Sequence, residues 1–216
     1  MIVDFGWQHF ATLLLAARWT LLVSFMALLM GGVAGFWVAL GRTSRIAPLR
    51  WLMGSYIQII QGTPVLIVLF LSYYGLSIVG LKLSPLVAAA LAMTIYASAY
   101  LGEIWRSCIQ AVPGGQWESS ASLAMNRWQQ LQHVVLPQAL RLAVPPTVGF
   151  SVQIVKNTSI TSIIGLVELT RAGQLINNAV FQPFEVFILV ALIYFALCFP
   201  LSVTAKRLER RLHAHH

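Results

Sequence analysis

The sequence predicts an all-α integral membrane protein with five transmembrane helices. Three observations carry this. Hydrophobic residues make up 58% of the chain and charged residues 9%, with a mean hydropathy of +0.78, whereas a soluble domain carries about 25% charged residues. Apolar runs recur at roughly the 20-residue length that a bilayer core requires. Basic residues gather in alternate connections between those runs. No polar linker, Pro/Ser-rich stretch or low-complexity tract interrupts the 216 residues, so one membrane domain is expected over 19–206, between an extracytoplasmic N-terminal segment (1–18) and a cytoplasmic tail (207–216).

Taken in order, residues 7–17 read as an amphipathic lead-in at the interface. Met1-Ile-Val-Asp4 lacks the basic region of a cleaved signal peptide, so the first apolar segment is expected to remain as a span. The spans are expected at about 19–41, 56–79, 86–105, 142–164 and 186–205. Gly31-Gly-Val-Ala-Gly35 offers a face on which another helix can approach closely, although such spacing also arises by chance in glycine-rich spans. Cys108 and Cys198 lie far apart and outside any Cys/His cluster, so neither a disulfide framework nor a zinc site is indicated. His213-Ala-His-His216 reads as a polar, frayed tail.

A formal charge of +8 would, in a soluble protein, suggest nucleic acid or anionic lipid as a partner. Here the charges sit between spans, as topology signals do, and no nucleic-acid role is expected. Arg42, Arg45, Arg50, Arg106, Arg127, Arg141, Lys206, Arg207, Arg210 and Arg211 fall on one side. Arg18, Lys82 and Arg171 fall on the other, and Lys156 lies within a span. The positive-inside rule makes the first side cytoplasmic. The N-terminus is then outside, the C-terminus inside, and the longest polar connection (106–141) cytoplasmic.

Within that connection, Ala124, Trp128, Leu131 and Val135 recur at i, i+4, i+7 and i+11 and predict one helical face. Arg127, Gln129, Gln130 and Gln132 fall on the others. Pro137 lacks an amide proton and is expected to end or kink this helix where the chain turns towards the fourth span. Glu118 is expected at or near a helix N-terminus, where its charge complements the dipole. An ordinary amphipathic linker would show the same periodicity. A short rigid helix held by a small-residue turn could instead seat in a groove on a partner and transmit a rigid-body movement.

The spacing Glu118-Ser119-Ser120, Ala124, then Val134 and Leu136-Pro137 resembles the EAA coupling loop of ABC importer permeases. Ser119 and Ser120 stand for the usual alanines and Ala124 for the usual glycine. All keep the residue small, but a turn there needing positive φ would normally use glycine. Gln61-Gly-Thr-Pro64 with Tyr73-Tyr74-Gly75, Gly102-Glu-Ile-Trp-Arg106, Ile109-Gln-Ala-Val-Pro113 with Gly115-Gln116, Leu136-Pro-Gln-Ala-Leu-Arg141, Pro145-Pro146, Lys156-Asn-Thr-Ser159 and Glu168-Leu-Thr-Arg171 extend the likeness from about Thr20 to Lys206. In combination they resemble the polar amino-acid (histidine/glutamine/glutamate) permeases, with Gln61 replacing an arginine. The resemblance implies an EAA-type coupling loop between the third and fourth spans and alternating access driven by partners. Those partners are two cytoplasmic ABC ATPase subunits that bind ATP and magnesium, a second permease subunit (identical or related), and an extracytoplasmic solute-binding protein. It implies a bacterial inner-membrane location, contact with membrane lipid, no covalent chemistry and no cofactor or metal in this chain. Glu118, Ser119, Ser120, Ala124, Arg127, Trp128, Leu136 and Pro137 would then contact the ATPase.

Polar groups inside a span are costly and normally face a bundle interior or a water-filled path. Gly149, Gln153, Lys156 and Asn157 share one face of the fourth span. Lys156 could attract a substrate carboxylate or form a structural ion pair, with Glu103 as the candidate partner. Gln61-Gly62-Thr63-Pro64 must weaken the second span. A broken helix at membrane depth suits a cavity-lining role, and a packing kink would look the same. Tyr73 and Tyr74 suit interfacial anchoring. The rivals are the same machinery serving an opine or a cystine-like compound, and a non-transporting scaffold that recruits an ATPase. A secondary carrier is disfavoured because five spans do not divide into inverted halves. This chain has no phosphate loop with which to cradle ATP itself, and no clustered Asp/His, Ser/His or metal set supports a membrane enzyme.

Overall fold

A computed structural model describes residues 6–213. The readings made on Met1 to Asp4 and on the tail from Ala214 onward lie outside them. The described residues fold as helices and connections: α1 (Trp7–Thr43), α2 (Ala47–Gln61), α3 (Val65–Ile78), α4 (Pro85–Ala111), α5 (Gly114–Ser122), α6 (Arg127–Ile164), α7 (Leu169–Val180) and α8 (Pro183–His213). Helices α1, α4 and α8 are each long and apolar enough to cross a membrane. The pairs α2/α3 and α6/α7 qualify as bent units, so the described residues hold between three and five candidate spans.

In helix α1 the 7–17 lead-in is part of one continuous helix. It runs without a break into the first span, and its Leu13, Ala16 and Ala17 are buried against Leu169, Ala172 and Ile176 of α7 and Val186 and Val190 of α8. Apolar contact with elements some 150 residues later holds it in the bundle. The Gly31–Gly35 face packs on α4 within the chain. A Cβ at Gly31 would come within 2.5 Å of the Ala97 Cβ, and one at Gly35 within 3.0 Å of the Ser98 carbonyl. Small residues on α4, among them Ala88, Ala89, Ala92 and Ala97, complete this close crossing and, with Val23, Leu69, Met93, Phe150 and Ile154, form the main core.

The second apolar segment is not one rod. Gly62-Thr63-Pro64 separates α2 from α3, and the two axes differ by 102°. The Gly62 amide closes α2 on Gln58, a Cβ there would sit 2.9 Å from that carbonyl, and Pro64 begins the next helix where no amide proton is required. A widened π turn follows at Leu71–Gly75 and holds Tyr73 and Tyr74 edge to face, centroids 4.9 Å apart. Pro137 likewise does not end its helix. A π turn over Gln130–Val135 leads directly into the α-helical run from Leu136, so the surface segment and the fourth span are one continuous α6. A π turn changes the hydrogen-bond spacing locally, which lets the helix pass a residue that lacks a donor.

Candidate functional site

The 106–141 connection folds as a tight helical hairpin. Pro113 precedes α5, which places Glu118 one turn inside that helix and exposed, near the N-terminus but not capping it. Ser119 is exposed, while Ser120 is buried and donates to the Trp117 carbonyl at 3.0 Å. At the C-terminus Ala124 takes φ +55°. Its amide donates to Ala121 and the Met125 amide to Ser120, at 2.9 and 3.3 Å. This is a Schellman closure, and it keeps the left-handed residue although alanine has replaced glycine. Ala124 therefore belongs to the turn and not to the helical face carrying Trp128, Leu131 and Val135. Asn126 and Gln129 then start α6 by exchanging side-chain and backbone bonds of 2.9 and 3.0 Å. The Asn-x-x-Gln spacing carried that signal in the sequence.

Two contacts hold the hairpin together and a third fixes it to the bundle. The Arg127 guanidinium lies 3.8 Å over the Trp117 ring. The buried Gln130 amide donates to the Met125 carbonyl at 2.9 Å. Val135 and Ala139 bury against Ile109 and Val112 at the end of α4, with Trp117, Leu131 and Leu136 around them. Glu118, Ser119, Leu123, Ala124, Trp128 and Pro137 remain exposed, an apolar and acidic outer face on a braced support.

A second set of polar groups lines the spans. Gln61, Tyr100, Glu103 and Pro146 bound a cavity of about 300 Å³ between the α2 end, α4 and α6. Gly149, Gln153 and Lys156 are exposed on α6, with Asn157 half-buried beside them. The Gln153 amide donates to the Tyr96 hydroxyl at 2.8 Å, and Tyr96, Tyr100 and Phe150 stack behind it. The chain thus brings Gln61 and Glu103 together and places the α6 stripe alongside. Thr63 turns inward to Ile59, its hydroxyl 2.7 Å from that carbonyl, and Gly62 and Pro64 form the elbow. The Glu103 and Lys156 pairing is not formed. Glu103 makes a bidentate pair with Arg106 one turn along α4, the Nε contact being 2.8 Å. An arginine three residues away on the same helix is the easier partner, and the Lys156 ammonium makes no ion pair among the described residues.

Sequence reasoning missed the role of Glu168, which is fully buried. Its carboxylate accepts from the Arg171 and Thr170 amides at 2.9 Å each, from the Tyr194 hydroxyl at 2.8 Å, and from the Thr20 hydroxyl at 3.4 Å. It caps α7 while tying α1 to α8. The Leu-Thr-Arg that follows gives no local sign of partners 148 and 26 residues away.

A helical membrane domain with a braced, exposed surface hairpin and an uncovered polar stripe in its spans has the build of a transporter permease. The chain belongs to the family of binding-protein-dependent transport system inner membrane components, whose model matches residues 31–214. It is 37% identical over 193 residues to the probable glutamine ABC transporter permease protein GlnM of Bacillus subtilis, covering 89% of each chain. It is 35% identical over 195 residues to the L-cystine transport system permease protein TcyB of the same organism, covering 90% of this chain and 83% of that one. A crystal structure of an amino acid ABC transporter with histidines superposes with a TM-score of 0.90 at 34% identity, over 98% of this chain and 100% of the other.

Proposed function

We propose that this chain forms half of the translocation path of an ATP-driven importer for a polar amino acid. The observation that carries it is the α6 stripe: Gln153 and Lys156 lie in a span yet stay uncovered in the single chain. Bare polar groups at that depth call for a second permease subunit and a water-filled path between the two. The five passes are α1, α2 with α3, α4, α6 with α7, and α8, with the N-terminus outside and the C-terminus cytoplasmic, as the basic residues distribute. The α5–α6 hairpin then faces the cytoplasm as the EAA-type coupling loop. Glu118, Ser119, Ala124, Trp128 and Pro137 seat in the partner ATPase, and Ser120, Arg127 and Leu136 brace them from behind. Two ATPase subunits bind ATP and magnesium, and an extracytoplasmic binding protein delivers the solute. Gln61, Glu103, Gln153, Lys156 and Asn157 line the path, and Gly62, Thr63 and Pro64 form its elbow.

Lys156 suits a carboxylate-bearing solute. The likeness to TcyB supports a second reading in which the solute is cystine-like. The test is reconstitution with the ATPase and binding-protein partners in liposomes, followed by ATP hydrolysis against a panel of polar amino acids, opines and cystine. A polar amino acid should stimulate hydrolysis and enter the vesicles. Stimulation by cystine alone selects the second reading, and hydrolysis insensitive to every solute would leave a scaffold.

A further inference from the structure

The end of α1, the 44–46 elbow, the end of α4 and the hairpin enclose a cavity of about 820 Å³ whose walls carry Arg42, Arg45, Arg50 and Arg127 together with Trp117 and Trp128. No acidic residue lines it, and the one ion pair among the described residues is that of Glu103 with Arg106. Arg42 lies against Gly54 of α2, and its Nε is buried with no hydrogen-bond partner among the described residues. Arg50 reaches only the Ser44 carbonyl, at 3.4 Å, and Arg127 sits in the positive field of Arg45. Guanidinium groups gathered in this way match a phosphate, which accepts paired N–H bonds.

The second observation is what adjoins them. A groove of about 340 Å³ runs along the outside of α1, α4 and α6, lined by apolar residues that include Phe36, Trp37, Trp105 and Leu140. Ile109 is shared by groove and cavity. A basic head site adjoining an apolar groove beside membrane-spanning helices has the shape of a phospholipid. A free phosphate would have no use for the groove, and an acidic protein segment would leave it empty.

We infer that each chain holds one anionic glycerophospholipid, its phosphate among Arg42, Arg45, Arg50 and Arg127 and an acyl chain in the Phe36–Leu140 groove. The lipid thereby wedges the hairpin against the ends of α1 and α4. The inference does not depend on which solute is carried, so its failure would leave the permease reading untouched.

The test is native mass spectrometry of the detergent-purified permease, alone and with its ATPase subunits, after adding phosphatidylglycerol, phosphatidylcholine or inorganic phosphate. One phosphatidylglycerol should be retained per chain in preference to phosphatidylcholine. The affinity should fall about fivefold for each arginine removed in Arg45→Gln and Arg50→Gln. Gly32→Leu should fill the groove and also release the lipid. Its Cβ would stand in ordinary contact 3.6 Å from Trp105, so folding is expected to survive. Equal retention of both lipids, retention unchanged in the arginine variants, or displacement by millimolar phosphate would overturn the inference. Loss of the lipid when the ATPase docks would assign the arginines to the protein partner and overturn it equally.

Discussion

Truncating Glu168 should loosen the permease in a graded way that follows from its four donors. Tyr194→Phe removes two interhelical hydrogen bonds, to Glu168 at 2.8 Å and to Thr170 at 3.0 Å, each worth about 0.6–1 kcal/mol inside a bilayer. In Glu168→Gln the amide can turn either way, but its NH₂ must then face at least one backbone N–H. The cheaper orientation keeps the carbonyl where Thr170, Tyr194 and Thr20 donate and leaves the Arg171 amide unpaired. One unsatisfied buried donor costs about 1–3 kcal/mol. Glu168→Ala strands both amides at the start of α7. The two hydroxyls can turn elsewhere, Tyr194 to Thr170 at 3.0 Å, so the expected loss is about 3–5 kcal/mol, from two donors and the cavity left behind. Thermal unfolding of the purified permease at fixed lipid content reads this out, with the midpoint falling about 2–4 °C per kcal/mol. A Glu168→Ala midpoint equal to wild type, or one above that of Glu168→Gln, would refute the reasoning.

Other outcomes are expected elsewhere. Ala124→Gly should raise hairpin stability by up to about 1 kcal/mol, because a left-handed alanine is strained, and hydrogen exchange at the Met125 amide measures it. Ala124→Phe should insert and fold, since Phe181 already holds φ +53° in this chain, yet abolish uptake by crowding the ATPase contact; near-normal uptake would remove Ala124 from that contact. A cysteine at Ser84 should react with an impermeant thiol reagent from outside and one at Gln132 only after permeabilisation, the reverse pattern overturning the orientation. Lys156→Met should leave assembly intact, because Glu103 is already paired with Arg106, and raise the solute concentration needed for half-maximal uptake. Unchanged uptake would take Lys156 out of the path.

The long helices were legible because apolar length and the absence of breakers are local properties. The break at Gly62 and Pro64 was legible for the same reason, but its angle was not, since 102° is set by how α3 packs on α4. The burial of Leu13 and Ala17 within 7–17 was not legible, because the partners that cover them come at the far end of the chain. Pro137 read as a stop or a kink because sequence patterns do not announce a π turn. The EAA-like spacing was visible in the sequence, while the positive φ of Ala124 ran against residue preference. Read along the chain, the basic residues showed no stripe interleaved with aromatics. Folding places Arg42, Arg45 and Arg50 opposite Arg127 and two tryptophans, a grouping that no single window contains.

The continuity of α6 through its π turn has a mechanical consequence. Had Pro137 ended the surface helix, a push at the hairpin would have been absorbed at a joint. Instead, residues from Arg127 to Ile164 form one unbroken arm about 57 Å long, resting near its surface end on Ile109 and Val112 and carrying Gln153 and Lys156 towards its far end. A tilt of about 5° would sweep the end of such an arm by about 4 Å, the width of a small polar side chain. In the proposed importer, a modest rocking at the hairpin would be enough to open or shut the path at the other end.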